Sequence, residues 1–121
     1  MKLAIVGSRG LSVDDLEQYV PKFVTEIVTG GAKGIDSCAI NYAQNHQINL
    51  VTFLPDYRRY GRGAPLKRNV QIIEYADCVL VFWDGQSRGT RFVIDECQRR
   101  NRPLHLYIYT DGEWHLRYPT T

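Results

Sequence analysis

Three glycine-containing segments carry the residue types that bind phosphate groups. They are residues 7–10, 30–36 and 84–90, and each combines glycines with a hydroxyl or a cation. Glycine lets the backbone approach an oxyanion without a Cβ in the way, and the N–H groups at a helix N-terminus favour negative charge. A single segment of this kind usually forms only a turn between a strand and a helix. Three of them at one edge of a sheet predict a binding site for a phosphorylated ligand.

The expected ligand contacts come from these segments and from an Arg-Asn pair between the second and the third. Asp36 is expected to contact a ribose hydroxyl, although the helix dipole alone also favours a carboxylate at a helix start. Ser87 and Thr90 could equally serve only as helix caps. The full set of expected ligand-binding residues is Gly7, Ser8, Arg9, Gly30, Gly31, Lys33, Gly34, Asp36, Arg68, Asn69, Gly85, Ser87, Gly89 and Thr90.

Residues 57–69 form the most polarised stretch of the chain. Five cations and two tyrosines lie between Asp56 and Glu74, with no acidic residue among them. We predict a loop of about ten residues here, long enough to act as a binding lid. Cations beside aromatic rings suit a nucleobase stacked on a tyrosine next to phosphates, or a single nucleic-acid strand. A solvated surface loop is the alternative interpretation.

The sequence indicates no established catalytic centre. Walker A, G-x-G-x-x-G and H-E-x-x-H patterns are absent, which disfavours P-loop NTPases and ordinary dinucleotide dehydrogenases. His46, His105 and His115 lie far apart in the chain, so no metal site is predicted. Asp36 and Asp84 are the candidate general bases if the protein hydrolyses an N-glycosidic or phosphoester bond. No cofactor is assigned beyond a nucleotide or ADP-ribose-like ligand.

The elements that must position these residues follow from the hydrophobic pattern. Apolar runs predict strands at residues 2–6, 25–29, 50–54, 78–83, 104–109 and 113–117. Helical spacing predicts helices at residues 12–20, 35–43, 66–76 and 91–100. This alternation predicts a single Rossmann-like three-layer α/β domain over residues 1–121. Its mostly parallel sheet has about five strands and a C-terminal antiparallel hairpin strand. Ligands of such sheets bind at the carboxyl ends of the strands, where the strand order reverses.

Composition limits the remaining possibilities. The 121 residues, 44% hydrophobic and 23% charged, suit one packed domain. A net charge of +2 excludes a polybasic nucleic-acid coat, and no apolar run is long enough for a membrane helix or a signal peptide. Three widely spaced cysteines predict reduced, buried thiols and a cytoplasmic location. Trp114 and Tyr118 on the terminal edge strand are expected to support a homo-oligomer.

In this order, the motifs resemble those of the SLOG superfamily of Rossmann-like nucleotide-binding proteins, which includes Smf/DprA and the Lonely Guy nucleotide phosphoribohydrolases. The similarity runs roughly from residue 2 to residue 108 and is greatest to small stand-alone members. It is carried by Gly-Ser-Arg at residues 7–9, Gly-Gly-Ala-Lys-Gly-Ile-Asp at 30–36, Arg-Asn at 68–69 and the segment 82–90. The resemblance to DprA implies phosphate-facing roles for Gly31, Lys33 and Arg68.

The resemblance implies that the protein binds a nucleotide or a nucleotide-derived phosphorylated small molecule, as a sensor or signalling module. The Lonely Guy enzymes have a glutamate three residues after the Gly-Thr of their third motif, where this chain has Val93. An apolar side chain cannot replace a carboxylate, which argues against phosphoribohydrolase chemistry by that route. Nucleotide hydrolysis by another route and DprA-like binding of single-stranded nucleic acid are the alternative functions.

Overall fold

The structure is a computed structural model that describes residues 1–119. A six-stranded β-sheet forms its centre. In chain order the strands are β1 (Lys2–Gly7), β2 (Glu26–Thr29), β3 (Asn49–Thr52), β4 (Cys78–Trp83), β5 (Leu104–Thr110) and β6 (Glu113–Tyr118). Their order in the sheet is β3-β2-β1-β4-β5-β6, with β1–β5 parallel and β6 antiparallel to β5. The predicted parallel sheet with a C-terminal antiparallel hairpin strand is therefore confirmed.

Helices lie on both faces of this sheet. They are α1 (Ile35–Asn45), α2 (Tyr57–Tyr60), α3 (Ala64–Tyr75) and α4 (Arg88–Arg99), with 3-10 turns at Leu16–Gln18 and Gly61–Gly63. Helix α1 packs on one face of β1, β2 and β3, while α3 and α4 pack against each other on the opposite face. This arrangement confirms the Rossmann-like three-layer fold. Among residues 1–119, none of the helices has the length and apolar content needed to cross a membrane.

The central strand β4 is buried on both faces of the sheet. Its side chains alternate between two cores, with Cys78, Leu80 and Phe82 in one and Val79 and Val81 in the other. A strand covered on both sides gains from apolar residues at every position, as the uninterrupted apolar run predicts. The strand therefore holds the segment that follows it, residues 84–87, in a fixed place at the carboxyl edge.

The prediction of a helix at residues 12–20 is wrong. Only the 3-10 turn Leu16–Gln18 forms there, and the rest of the segment is irregular. Val13, Leu16 and Val20 are nevertheless buried in the same core as α1. Their spacing therefore reflects burial of an irregular segment, and nine residues ending at Pro21 gain little from helix formation alone.

The loop predicted before the third helix is also wrong, because that stretch is helical. It consists of α2 and the 3-10 turn Gly61–Gly63, which lead directly into α3. Asp56 caps α2 by accepting a hydrogen bond from the N–H of Arg59 at 3.1 Å, and Pro65 lies in the first turn of α3. These are helix-start signals that the charge pattern of the segment obscured. The basic segment is therefore a helical surface rather than a flexible lid.

Candidate ligand-binding cleft

A cleft of about 350 Å³ opens at the carboxyl edge of the sheet. It lies where β1 and β4 end side by side, which is the point at which the strand order reverses. Ligands of open α/β sheets bind at such switch points. Of the residues expected to bind ligand, the cleft lining includes Gly7, Ser8, Arg9, Asp36, Arg68, Asn69, Ser87, Gly89 and Thr90.

The other expected residues lie outside the cleft lining. Gly34 has a φ of +73°, and a Cβ built there would stand 2.4 Å from the carbonyl oxygen of Arg9, so this glycine allows the first two segments to pack together. A Cβ on Gly30 would stand 2.6 Å from Nη1 of Arg68. These two glycines therefore shape the edge of the sheet without facing the cleft. Gly31, Lys33 and Gly85 are exposed outside it.

A network of hydroxyl groups joins the first segment to the third. The Oγ atoms of Ser8 and Ser87 lie 2.6 Å apart, and the Ser87 hydroxyl donates to Oδ1 of Asp84 at 2.8 Å. A hydroxyl has one proton to donate, so Ser8 must be the donor in the Ser8–Ser87 bond. The Ser8 oxygen in turn accepts the N–H of Asp84 at 3.0 Å. Every member of this network is therefore hydrogen-bonded, which fixes the start of α4 relative to β1.

Asp84 organises the turn between β4 and α4. Its Oδ1 atom accepts hydrogen bonds from the N–H groups of Gln86 and Ser87, both at 2.8 Å, as well as from the Ser87 hydroxyl. Burial alone would raise the pKa of this carboxyl group, but the N–H groups of Ser87 and Gln86 and the Ser87 hydroxyl outweigh it, so the pKa lies below its usual value. Asp84 is consequently a poor general base and acts as a structural anchor.

The N-terminus of α4 is left without a side-chain cap. Ser87 occupies the N-cap position, but its hydroxyl is held by Ser8 and Asp84 and makes no capping bond. The first intrahelical bond runs from the N–H of Arg91 to the carbonyl of Ser87. Within residues 1–119, the N–H groups of Arg88, Gly89 and Thr90 find no acceptor. Such N–H groups at the positive end of a helix favour an anion, and Gly89 and Thr90 line the cleft.

Arg68 brings a buried positive charge to the same cleft. It lies on α3 and is only 7% exposed, with Nη1 donating to the carbonyl of Gly30 at 2.5 Å and Nε donating to Oδ1 of Asn69 at 2.8 Å. Burial lowers the pKa of the guanidinium, partly offset by the negative charge of Asp36. An arginine remains protonated under these conditions. Its Nη2 atom makes no hydrogen bond to any residue that the structure describes, so this donor remains for a ligand.

Asp36 is the second buried charge of the cleft. Its Oδ2 atom accepts the N–H of Ala32 at 3.1 Å, and the residue is 5% exposed. Burial raises its pKa, against the opposing influence of the Ala32 N–H and of the Arg68 charge. Asp36 and Arg68 are close enough to affect each other's pKa but form no direct ion pair within 4.0 Å. The cleft therefore combines a buried carboxylate of raised pKa with a buried cation.

Sequence reasoning missed two features of this site. The first is the burial of Arg68, which lies between Ala64 and Ile72 on one buried face of α3. The spacing of four residues indicates this burial, but a charged side chain is not normally expected on a buried face. Residues 85–89 also match G-x-S-x-G, the pattern of a serine nucleophile between a strand and a helix. However, Ser87 has an ordinary φ of −60°, and no histidine among residues 1–119 reaches its hydroxyl. A serine triad is therefore not formed at this position.

The fold and the cleft define a Rossmann-like α/β domain with an open cleft at its switch point, and sequence comparisons identify its family. The family described as YspA, cpYpsA-related SLOG family (YAcAr) matches residues 3–60. Gene 61 protein of Mycobacterium phage D29 is similar, with 31% identity over 84 residues that cover 64% of this chain and 67% of that protein. No solved structure matches the chain. The chain belongs to the SLOG superfamily, and this membership indicates binding or processing of nucleotide-related molecules in general.

Proposed function

We propose that the protein binds a nucleotide or a nucleotide-derived phosphorylated small molecule in the cleft at the carboxyl edge. One observation carries this proposal: the uncapped N-terminus of α4 and the free Nη2 donor of Arg68 border the same 350 Å³ space. Neutral N–H groups and a guanidinium together match the charge and geometry of a phosphate. The proposal includes a cytoplasmic location, which the three free cysteines support.

The cleft needs little rearrangement to bind a phosphate. Ser8 and Asp84 already hold the Ser87 hydroxyl away from the helix amides, so a phosphate would not have to displace a cap. Arg9 is exposed at the cleft mouth and adds a second cation, while Asp36 is the expected partner of a ribose hydroxyl. A site arranged before binding loses less entropy when the ligand arrives. The ligand class that fits is a sugar phosphate attached to a base or to a second phosphate.

Calorimetric titration with AMP, ADP, ADP-ribose, ribose 5-phosphate and unphosphorylated adenosine tests the proposal. We expect binding of phosphorylated compounds and none of adenosine. Arg9→Gln should weaken binding by about tenfold, because it removes one charge-assisted contact. The matched control is Arg62→Gln, an exposed arginine outside the cleft, which should leave the affinity unchanged. Absence of binding by every phosphorylated compound would contradict the proposal, and so would equal losses in the two variants.

A hydrolytic function rests on Asp36 alone. Its buried carboxyl group borders the cleft and has a raised pKa, as a general base requires. Asp84 is unsuitable because its pKa is lowered and its Oδ1 atom already accepts three hydrogen bonds. Val93, which stands in place of the Lonely Guy glutamate, lines the cleft and offers no carboxylate. Release of free base or phosphate from nucleoside monophosphates, abolished by Asp36→Asn, would establish hydrolysis.

Binding of single-stranded nucleic acid is favoured by a different surface. Tyr57 is 57% exposed on α2, beside the exposed cations Arg58, Arg59 and Arg62. An exposed ring among cations can stack a base while the cations contact phosphates. Fluorescence titration with an oligonucleotide at several salt concentrations tests this function, because each neutralised phosphate steepens the salt dependence. The pair of variants separates the functions, since Arg62→Gln should weaken only oligonucleotide binding and Arg9→Gln only nucleotide binding.

A further inference from the structure

The last strand of the sheet, β6, has a free edge. It pairs with β5 on one side and forms the end of the sheet on the other. All of its residues except Trp114 are exposed. The backbone N–H and C=O groups on the outer side of an edge strand are available to another strand, and proteins usually block them with lysine, proline or a covering element. Neither lysine nor proline occurs within β6.

The sequence of β6 is complementary to itself. Residues 113–117 read Glu-Trp-His-Leu-Arg, so opposite charges stand at equal distances on either side of His115. If two copies of this strand pair antiparallel about His115, Glu113 of each copy faces Arg117 of the other, and Trp114 faces Leu116. Cross-strand pairs of opposite charge and of apolar side chains stabilise antiparallel sheets. Both kinds of pair therefore favour the same register.

A cluster of aromatic side chains extends from the core to the β6 edge. Trp114 lies with its ring centroid 5.0 Å from that of Phe82 in the core and 5.0 Å from that of Tyr109, which is its cross-strand neighbour on β5. Tyr109 and Leu116 remain 39% and 43% exposed. Pairing through β6 would bring Leu116 of a second copy against Trp114 and reduce this exposed apolar area. The hydrophobic gain adds to the backbone hydrogen bonds of the new strand pair.

A bulge near the end of β6 does not prevent this pairing. Leu116 pairs with Tyr107 and Tyr118 with Leu106, which leaves Arg117 as the extra residue. The pairing about His115 needs regular strand only as far as Leu116. The arginine side chain is long enough to reach a carboxylate across the strands from a displaced backbone position. The regular part of the interface therefore ends at Leu116, and only the side chain of Arg117 contributes beyond it.

We propose that two copies of this chain associate through their β6 strands, antiparallel and centred on His115. The contact is two-fold symmetric, so each charge pair occurs twice. Strand β5 separates β6 from β4, so the interface leaves the ligand-binding cleft open in both copies. Self-association and ligand binding can therefore be tested independently of each other.

Analytical ultracentrifugation over the micromolar to millimolar range tests the proposal with a charge exchange. Wild-type protein should form dimers in this range. Arg117→Glu and Glu113→Arg should each raise the dissociation constant at least about tenfold, because like charges then face each other. An equimolar mixture of the two single variants should dimerise again, since every Glu then faces an Arg. The variant with both substitutions should also dimerise by itself.

Other outcomes overturn the proposal. Wild-type protein that remains monomeric throughout the range has no such interface. Single variants that dimerise as wild type does, or a mixture that fails to recover, would place any self-association at another surface. Circular dichroism and thermal unfolding of each variant check that the fold persists, and the mixture provides a second check because it contains the same two chains.

Discussion

The hydroxyl oxygens of Ser8 and Ser87 lie 2.6 Å apart, although 79 residues separate them in the chain. This bond connects the end of β1 to the start of α4. It also gives the Ser87 hydroxyl a partner other than the helix N–H groups, which a serine at the N-cap usually serves. A bond between two loops thereby keeps a helix N-terminus open towards the cleft.

Ser8→Ala should destabilise the protein. Ser8 is 1% exposed, and its hydroxyl both donates to Ser87 and accepts from the N–H of Asp84, so the substitution leaves that partly buried N–H without a protein partner. Such a loss costs about 1–3 kcal/mol in the free energy of unfolding. Urea denaturation measures it. Ser37→Ala is the control, since that exposed hydroxyl makes one 3.3 Å bond to the Ala32 carbonyl and should change stability by less than about 0.5 kcal/mol. Equal effects would show that the Ser8 network adds nothing to stability.

Gly89→Ala should raise stability and lower ligand affinity at the same time. A Cβ at Gly89 meets no atom within 4 Å, and the residue lies in the first turn of α4, so alanine should stabilise the helix by about 0.5–1 kcal/mol. The added methyl group stands at the helix N-terminus that borders the cleft, where it hinders the close approach of a phosphate.

Thermal unfolding and calorimetric titration of the same sample measure the two effects of Gly89→Ala. Gly63→Ala is the control, because Gly63 also has open space around it and helical φ but lies outside the cleft lining. That variant should bind the ligand as the wild type does. Unchanged affinity in Gly89→Ala would mean that the α4 N-terminus does not hold the phosphate.

The sheet and the position of the cleft could be predicted because their signals are local. Apolar runs that end at glycine, such as the one that ends at Gly7, mark a buried strand and the turn after it. The rule for parallel connections then limits the possible strand orders to a few. The parallel arrangement then brings the carboxyl ends of strands that are distant in the sequence, such as β1 and β4, to the same edge of the sheet.

The features that could not be predicted depend on contacts between distant residues. The segment around Leu16 has helical spacing but is held in an irregular conformation by the core that it covers. Its charge suggests that Arg68 lies at the surface, but in the fold its guanidinium is buried beside the carbonyl of Gly30 and near the carboxylate of Asp36. Gly31 and Lys33 follow a phosphate-binding pattern, yet neither residue is part of the cleft lining. The spacing of residues in the sequence does not determine which residues of a loop line a cleft.

Asp36 and Asp84 should give opposite dependences of stability on pH. Burial raises the pKa of Asp36 in the folded protein, so its contribution to stability is greatest below the ordinary aspartate pKa of about 3.9 and declines as pH rises through the folded value. The pKa of Asp84 is lowered, so its contribution is present above about 3.9 and is lost as pH falls through the folded value.

Urea denaturation across this pH range checks the two aspartates against their asparagine variants. The free energy of unfolding of the wild type minus that of Asp36→Asn should fall as pH rises above about 4. The corresponding difference for Asp84→Asn should fall as pH decreases below about 4. Each variant serves as the control of the other. Slopes of the same sign would mean that one of the two carboxyl groups lies in a different environment from the one described.

Cys97 should resist alkylation as long as the protein remains folded. Burial raises its pKa to about 12, so only about one thiol in ten thousand is ionised at pH 8, and its side chain has no exposed area. Burial also raises the pKa of Cys78, whereas Cys38 is only partly buried. Treatment with iodoacetamide followed by peptide mass spectrometry should therefore find Cys38 modified first. In urea all three cysteines should react at similar rates, which provides the control. Equal reactivity of Cys97 and Cys38 in the native protein would contradict the packing of α4 on the sheet, because that contact is what excludes water from Cys97.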